Sequence, residues 1–499
     1  MKRIVTLLLA AGLVLGAAAG SQAADIKAKG TWEFGFEFSD RTFQKHDGED
    51  TFKAQQRLRT QIDVIASESL KGVVFLEMGH TNWGNAKQGG ALGTDGKEVE
   101  VRYSYVDWVI PQTDAKVRMG LQPFALPDFT VGNPILGGGN AQGAGVIVSG
   151  DFSENVGASL FWLRAENDNV GSWEDAKGGM HRFSDEMDFI GLTVPLTFDG
   201  VKVTPWAMYG SIGRDSFPTA GYNADNYPTY NNNKPWNNSR GASMAAGLLP
   251  ASSVPELSTD TRANAWWIGF GGEVTAFAPF RVALDAAYGS VDMGQERGSK
   301  ELNGRDFDIK RSGWYTSLLA EYKLDVVTPG LLFWYSSGDD SNGWDGSERL
   351  PTIQGSWAPT SYGFDAAVYN TANCLVSETL NGTWGVTLQL KDISFMEDLS
   401  HVFRVAYYAG TNNKAMAEKG WVSSPWDDQN ATGTGLYLTT KDHAWEVNFD
   451  TQYNIYKDLT LVLELGYINL KIDEDVWGLD SSDIRKNNFK AGVNLTYAF

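Results

Sequence analysis

Phe489-Lys490-Ala491-Gly492-Val493-Asn494-Leu495-Thr496-Tyr497-Ala498-Phe499 is the stretch that decides the fold. Phe489, Ala491, Val493, Leu495, Tyr497 and Phe499 fall on one face. Lys490, Gly492, Asn494, Thr496 and Ala498 fall on the other. Side chains alternate across a strand with period two, so this is a strand with one apolar and one polar or small face. In a soluble sheet the apolar face looks inward. In a membrane barrel it looks at lipid, and the polar face lines water.

The pattern recurs along the chain. Trp32, Phe34, Phe36 and Phe38 alternate with Thr31, Glu33, Gly35 and Glu37, and Leu58, Thr60, Ile62 and Val64 alternate with Arg57, Arg59, Gln61 and Asp63. Phe280 to Gly289, Trp384 to Lys391, Trp445 to Tyr453 and Leu459 to Ile468 repeat the same code. Aromatics stand at the segment ends and aliphatics in the middle, as interfacial girdles require. Connections alternate short and long. Ser67-Glu68-Ser69 and Tyr456-Lys457-Asp458 are short, whereas Gly213 to Arg262, Gly338 to Asn381 and Thr411 to Asp442 are long and rich in Asn, Gly, Asp, Ser and Pro. Loops of that length are uncommon in compact soluble domains and normal on one side of an outer-membrane barrel. The expectation is an all-β, transmembrane, antiparallel up-and-down β-barrel of about 18 strands, with long outer loops and short periplasmic turns. Sixteen strands is the alternative, because the segments around Val146 to Phe152 and Pro329 to Ser336 are weaker.

The start of the chain points to export. Met1-Lys2-Arg3 is basic, Ile4 to Ala19 is apolar, and Ser21-Gln22-Ala23 reads as a cleavage site. Residues 1–23 are therefore expected to be a signal peptide, with 24–499 forming one barrel domain from Ala24. The apolar run is short for a spanning helix, and no second one follows. Aromatics make up 12% of the 499 residues and Gly reaches 55, which suits a barrel wall. The formal charge is −20, or −22 once Lys2 and Arg3 are removed, which argues against nucleic acid as a partner. Cys374 is the single cysteine, so no disulfide framework or cysteine metal site exists. An acidic surface fits long, solvated loops; that divalent cations bridge them to lipopolysaccharide is an expectation from envelope biology rather than from any motif in the chain.

Catalytic patterns are missing. The five histidines, His46, His80, His181, His401 and His443, are scattered, and neither a His-Glu-x-x-His motif nor a nucleophile elbow occurs. Gly90 to Lys97 has the wrong spacing for a phosphate loop. Asp339 to Glu348 resembles a loose Ca²⁺ loop, but Trp344 breaks the ligand spacing. No enzyme activity, cofactor or metal site is expected. The in-phase cations Arg57, Arg59, Arg102, Lys116 and Arg118 cluster on early strands instead, with Glu321, Glu446, Asp450 and Glu464 as opposing acids on later ones. On a lipid face, Arg or Lys costs about 2–4 kcal/mol near the midplane, so these cations face water.

Val101-Arg102-Tyr103-Ser104-Tyr105-Val106-Asp107-Trp108, Val117-Arg118-Met119-Gly120-Leu121-Gln122-Pro123-Phe124, the Gly-rich loop that follows and the terminal Phe499 carry a resemblance. The chain resembles the outer-membrane homotrimeric porins of sulfate-reducing bacteria and, more distantly, the general bacterial porins. The resemblance implies a homotrimer in outer-membrane lipid, a third loop folded into the lumen, and reading of the last strand by the barrel assembly machinery. That last role would fall to Phe489, Leu495, Tyr497 and Phe499. It implies passive, water-filled diffusion of small hydrophilic solutes and ions; the alternative is a substrate-selective channel for small organic acids or anions. The constriction loop is then Pro123 to Gly145, whose one charge is Asp128. General porins carry several acids there. With so little acid opposing the basic ladder, the narrow part is expected to be anion-tolerant or anion-preferring.

Overall fold

A computed structural model describes residues 24–40, 50–96, 99–139, 141–167, 186–213, 216, 244, 247–250, 262–296, 305–367, 376–377, 379–380, 382–422, 424–425, 435–479 and 486–499, with the backbone alone of 172–174 and 180–182. The expected signal peptide and Cys374 lie outside the described residues.

Eighteen strands make the wall. They are β1 (Asp25–Ser39), β2 (Thr51–Ser67), β3 (Leu70–Asn82), β4 (Val99–Val109), β5 (Lys116–Pro123), β6 (Gln142–Ser153), β7 (Val156–Glu166), β8 (Met187–Thr193 and Leu196–Phe198) and β9 (Val201–Ile212). Then follow β10 (Ala263–Val274), β11 (Phe280–Glu296), β12 (Phe307–Tyr322), β13 (Thr328–Ser336), β14 (Thr383–Met396), β15 (Leu399–Gly410), β16 (His443–Tyr456), β17 (Leu459–Lys471) and β18 (Asn487–Ala498). β8 breaks at Val194-Pro195, where proline has no N–H for the ladder. Every strand pairs antiparallel with the next, and β1 pairs with β18 from Thr31–Ala498 to Ser39–Lys490. The sheet is thereby closed and has no lateral edge through the membrane, as a spanning sheet must. The two weaker segments are genuine strands, β6 and β13, so the count is 18 rather than 16. Among the described residues no helix is long and apolar enough to cross a membrane.

The outer face follows the period-two code. Leu192, Ile268, Phe270, Val282, Leu318, Leu331, Leu388 and Val447 are exposed large apolar residues in mid-strand. Toward the long loops an aromatic belt runs in register: Tyr288 opposite Trp314, Tyr335 opposite Trp384, Tyr407 opposite Trp445, Tyr467 opposite Phe489. A second belt at the short turns includes Trp32 stacked on Tyr497 at 6.1 Å and Phe280 edge-on to Tyr322 at 4.5 Å. A continuous apolar exterior between two aromatic belts is a lipid-facing surface, and the barrel is of the outer-membrane type.

The interior departs from the expected polar lining. From β7 to β15 many inward side chains are large and apolar: Phe161, Phe189, Trp206, Trp267, Tyr315, Trp334 and Tyr408 are buried. Four of these rings lie over a glycine of the following strand. A β-carbon on Gly191, Gly269, Gly289 or Gly385 would come within 2.3–2.5 Å of Phe161, Trp206, Trp267 or Trp334 respectively. Large rings therefore lie across the wall against small neighbours, which lets the inner face pack closely. Two outer loops supply the opposing surface. The expectation of a water-lined interior all round is corrected here: inward apolar positions are stable wherever a loop covers them, because burial in protein satisfies them as lipid would.

Candidate functional site

The loop 124–141 between β5 and β6, called L3 here, crosses the lumen. Phe129 N (3.0 Å), Thr130 N (2.8 Å) and Thr130 Oγ1 (2.7 Å) all donate to Asp285 on β11, and Arg281 Nη2 donates to Phe129 O at 2.6 Å. The loop between β13 and β14, called L7, comes in beside it. Gly137 N donates to Gln354 O at 2.9 Å, Ser356 N to Asn133 O at 2.9 Å and Ala358 N to Val131 O at 3.0 Å, so the two loops run alongside each other in opposite directions, joined by a ladder of backbone bonds. L7 then reaches the wall at β16. Thr360 Oγ1 (2.9 Å), Tyr362 N (3.2 Å) and Gly363 N (3.0 Å) donate to the Glu446 carboxylate, and Lys490 Nζ donates to Ser361 O at 2.9 Å. Joined, the two loops form a septum. Leu126, Ile135, Leu136, Trp357 and Phe364 bury its apolar side against the packed wall.

The wall from β1 to β5 carries ion pairs in two clusters. In the cluster nearer the loops, Arg57 pairs with Glu33. Arg59 Nε lies 2.6 Å and Arg102 Nη1 3.0 Å from Glu77 Oε2, so one carboxylate on β3 is clamped from β2 and β4. Arg102 also donates to Gln142 Oε1 at 3.1 Å and to Gly139 O, tying wall to septum. In the cluster nearer the turns, Arg118 grips Asp107 with Nε at 2.6 Å and Nη2 at 2.9 Å and lies over the Tyr105 ring at 4.4 Å. Lys116 Nζ stands 3.4 Å and Lys71 Nζ 4.0 Å from Asp107, and Lys71 is 3.9 Å from Asp63. Among the described residues each cluster sets three cations against two carboxylates. Glu77 and Lys71 are six positions apart on β3, so the clusters lie about 20 Å apart along the strand.

All five expected cations thus face the lumen. Arg102 does so against its parity. It shares the phase of lipid-facing Val106 and Trp108, but the register slips between Phe75–Tyr103 and Leu76–Val101, and Arg102 is the extra residue that turns inward. Asp128 sits beside the L3 segment that meets β11, across the barrel from the ladder, and burial raises its carboxyl above the usual range. The charges that offset the ladder are Glu33, Glu77 and Asp107 on the same wall. Sequence reasoning passed over them, although Glu33 and Glu77 have lumen phase and Asp107 stands within the quoted motif. The later acids are engaged rather than open to the path: Glu321 with Arg281 at 2.9 Å, Asp450 with Arg404 at 2.5 Å, Glu464 with Lys490 at 3.2 Å, and Glu446 with L7. In the Asp339–Glu348 stretch of L7, carboxylates of Asp340, Asp345 and Glu348 come within 4.8 Å of one another. Burial and the acids Asp339, Asp340 and Asp345 push Glu348 up to about 7.

No protein-family model and no curated protein matches the chain. Solved structures do match over nearly the whole length. OccAB4 of Acinetobacter baumannii shares 12% identity with a TM-score of 0.50, covering 96% of this chain and 99% of that one. OccAB2 of the same organism shares 10% identity with a TM-score of 0.50, covering 95% and 98%. OccK11 (OpdR) of Pseudomonas aeruginosa shares 12% identity with a TM-score of 0.47, covering 96% and 98%. At this identity the likeness is one of fold: the chain shares the barrel architecture of OccAB4 and OccAB2.

Proposed function

We propose that the chain is an outer-membrane porin, a water-filled channel through which small hydrophilic solutes and ions diffuse passively. The path runs between the charged wall of β1–β5 and the L3–L7 septum, with Pro123 to Gly145 as its constriction and Arg57, Arg59, Arg102, Lys116, Arg118 and Asp128 beside it. The observation that carries this reading is the inversion of the wall: apolar and aromatic outside, ion-paired inside along one side of the lumen. Charges at such a site need water, which a pore supplies. Purified protein inserted into a planar bilayer is expected to give stepwise conductance; folded, inserted protein that leaves the bilayer insulating overturns the proposal.

The excess of one cation in each wall cluster favours a second reading, a channel selective for small organic acids or other anions. Small carboxylates added to one chamber should then reduce the ionic current, while uncharged solutes of equal size should not. Equal effects of both would leave general diffusion.

The finer assignments follow the resemblance: membership of the sulfate-reducer porin family, a homotrimer, contact with lipopolysaccharide, export by residues 1–23, and recognition of the last strand by the assembly machinery. Phe499 packs on Trp32 at 5.3 Å, and its ring lies 2.7 Å from where a β-carbon on Gly30 would stand. Deleting Phe499 should cut the amount of folded protein in the outer membrane severalfold while leaving the conductance of surviving channels alone; normal amounts would defeat that role. Native mass in mild detergent decides between three copies and one.

A further inference from the structure

The register of β2 and β3 slips by one between Gln56–Thr81 and Arg57–Gly79, and the residue left over is His80. It follows Gly79 at φ 121 and itself takes φ 56, a left-handed conformation that a residue with a β-carbon rarely adopts. The bulge turns the imidazole into the loopward ion-pair cluster, where the side chain stays 45% exposed. Nε2 then lies 3.0 Å from Arg57 Nη1 and 3.1 Å from Glu77 Oε1.

Those two neighbours make opposite demands on one nitrogen. A guanidinium only donates, so Arg57 needs the Nε2 lone pair. An ionised carboxylate only accepts, so Glu77 needs a proton on Nε2. A neutral ring with its proton on Nδ1 satisfies Arg57, and an imidazolium satisfies Glu77. The surrounding charges are Glu33 on β1, which holds Arg57, and Arg59 and Arg102, which hold Glu77 from β2 and β4. Arg57 therefore has a second acceptor to turn to when the ring no longer accepts.

We propose that His80 is a selectivity-setting residue that couples the charge of the channel wall to pH. When the ring takes up a proton, Nε2–H turns to Glu77, Arg57 is released toward Glu33 and the lumen water, and the cluster changes from three cations against two carboxylates to four against two. The inference rests on the chain being a channel. Imidazole is the side chain whose charge changes across the neutral range, and a charge on a lumen walled by low dielectric acts on passing ions strongly when the salt is dilute.

The test compares wild type with His80→Gln, whose amide offers Arg57 an acceptor and Glu77 a donor without titrating. In dilute salt, the anion-to-cation permeability ratio of wild type should rise about twofold between about pH 8 and about pH 5.5, and His80→Gln should lose that rise. A rise that survives in His80→Gln and disappears in Glu348→Gln assigns the effect to the L7 acids and overturns the proposal, as does a flat wild-type profile. Histidine NMR on the folded protein in micelles gives a readout that needs no conductance. The signal missing from His80→Gln should pass from the Nδ1–H tautomer to imidazolium over that pH range. An Nε2–H tautomer at high pH, or a ring that stays neutral throughout, also overturns the proposal, whereas a correct titration in a protein that conducts nothing removes the channel reading and leaves the proton site standing.

Discussion

The interior of β7–β15 is mainly packed rings, with ion pairs such as Arg281–Glu321 and Arg164–Asp188 kept toward the strand ends, whereas the interior of β1–β5, on the same continuous sheet, is mainly ion pairs. In the first, inward positions hold Phe161, Trp206, Trp267, Tyr315 and Trp334; in the second, they hold Glu33, Arg57, Glu77, Asp107 and Arg118. The exterior of both is the same lipid-facing mixture of aliphatics and aromatics. The difference comes from what each inner face meets. L3 and L7 cover the first, so apolar side chains there are buried against protein, each worth about 1.5–3 kcal/mol. Among the described residues no loop covers the second in the same way, and its side chains are charged and paired. Lipid sets the outer code of a barrel everywhere; the inner code is set locally by whether a loop folds over it.

The comparison breaks most visibly if the packed side is not the stable one. Trp334 is fully buried, with Trp357, Phe364 and Tyr408 at 6.2, 5.8 and 6.5 Å. Trp334→Ala is expected to cost about 3–5 kcal/mol of folding stability, read as the shift of a urea unfolding curve in micelles. A shift below about 1 kcal/mol would mean the ring opens onto water rather than onto L7. The anchors of the septum come next in size. Glu446→Ala strips the acceptor from Thr360, Tyr362 and Gly363, and Asp285→Ala strips it from Phe129 and Thr130. Losing either acceptor costs about 1–3 kcal/mol in all, because the freed loop donors turn to water. Either variant should free its loop end to proteolysis and make the single-channel current noisier, whereas unchanged protease resistance would show that the loop-to-loop ladder alone holds the septum.

How much of this was legible in the sequence follows from which side of the wall a residue serves. Phe489 to Phe499 and the segments like it gave strand, face and count, because lipid demands the same apolar phase from all of them. The weak segments of β6 and β13 were readable for the same reason, since Val146, Val148, Leu331 and Phe333 still keep the outward phase. The septum was not legible. Residues 131–136 and 353–358 are brought together only by two loops meeting inside a closed barrel, and nothing local in either stretch signals the other. Inward aromatics such as Trp206 and Trp267 were hidden too, for they stand among outward apolar residues and erase the alternation. His80 was illegible in a further way, as it faces inward through a one-residue bulge that a strict period of two places on the wrong side; Arg102 was named as an in-phase cation, yet it too turns inward only through such a bulge.

The charged side is sharpened by removing cations rather than bulk. Changing Arg57 and Arg59 together to Gln leaves Glu33 without its partner and Glu77 with Arg102 alone, so the loopward cluster passes from three cations against two carboxylates to one against two. The reversal potential in a salt gradient should move toward cation selectivity. Because Glu33, Glu77 and Asp107 already offset the ladder, the starting preference for anions is modest, and the change in permeability ratio should be a few fold rather than a hundredfold. Raising the salt should shrink it, since the Debye length falls from about 10 Å at 0.1 M to about 3 Å at 1 M. An unchanged reversal potential at low salt would make these arginines lining of a wide pore.

The smallest effect sits where the packed side meets the outer surface. Glu348 lies at the base of L7, its carboxylate accepting from Asp340 N at 2.9 Å, and the chain runs from it into buried Arg349 and Leu350. Burial, with Asp339, Asp340 and Asp345 nearby, holds its pKa at about 7, above the value of about 4.3 for a free glutamate. The folded protein then keeps a proton that the unfolded chain has lost over most of the interval between them. Stability rises with pH only where the unfolded state binds more protons, and here the folded state binds more. The contribution is therefore complete below about pH 4.3, declines through the interval and is lost as pH rises through about 7. The base of L7 should open more readily at about pH 8 than at about pH 5, seen as faster amide exchange around Ser337 and Leu350, while exchange on β2 and β3 should not follow the same course. Glu348→Gln should flatten the profile. If the profile persists in Glu348→Gln, another group sets it, and if β2 and β3 follow the same course, the two sides of the lumen are not separate units of stability.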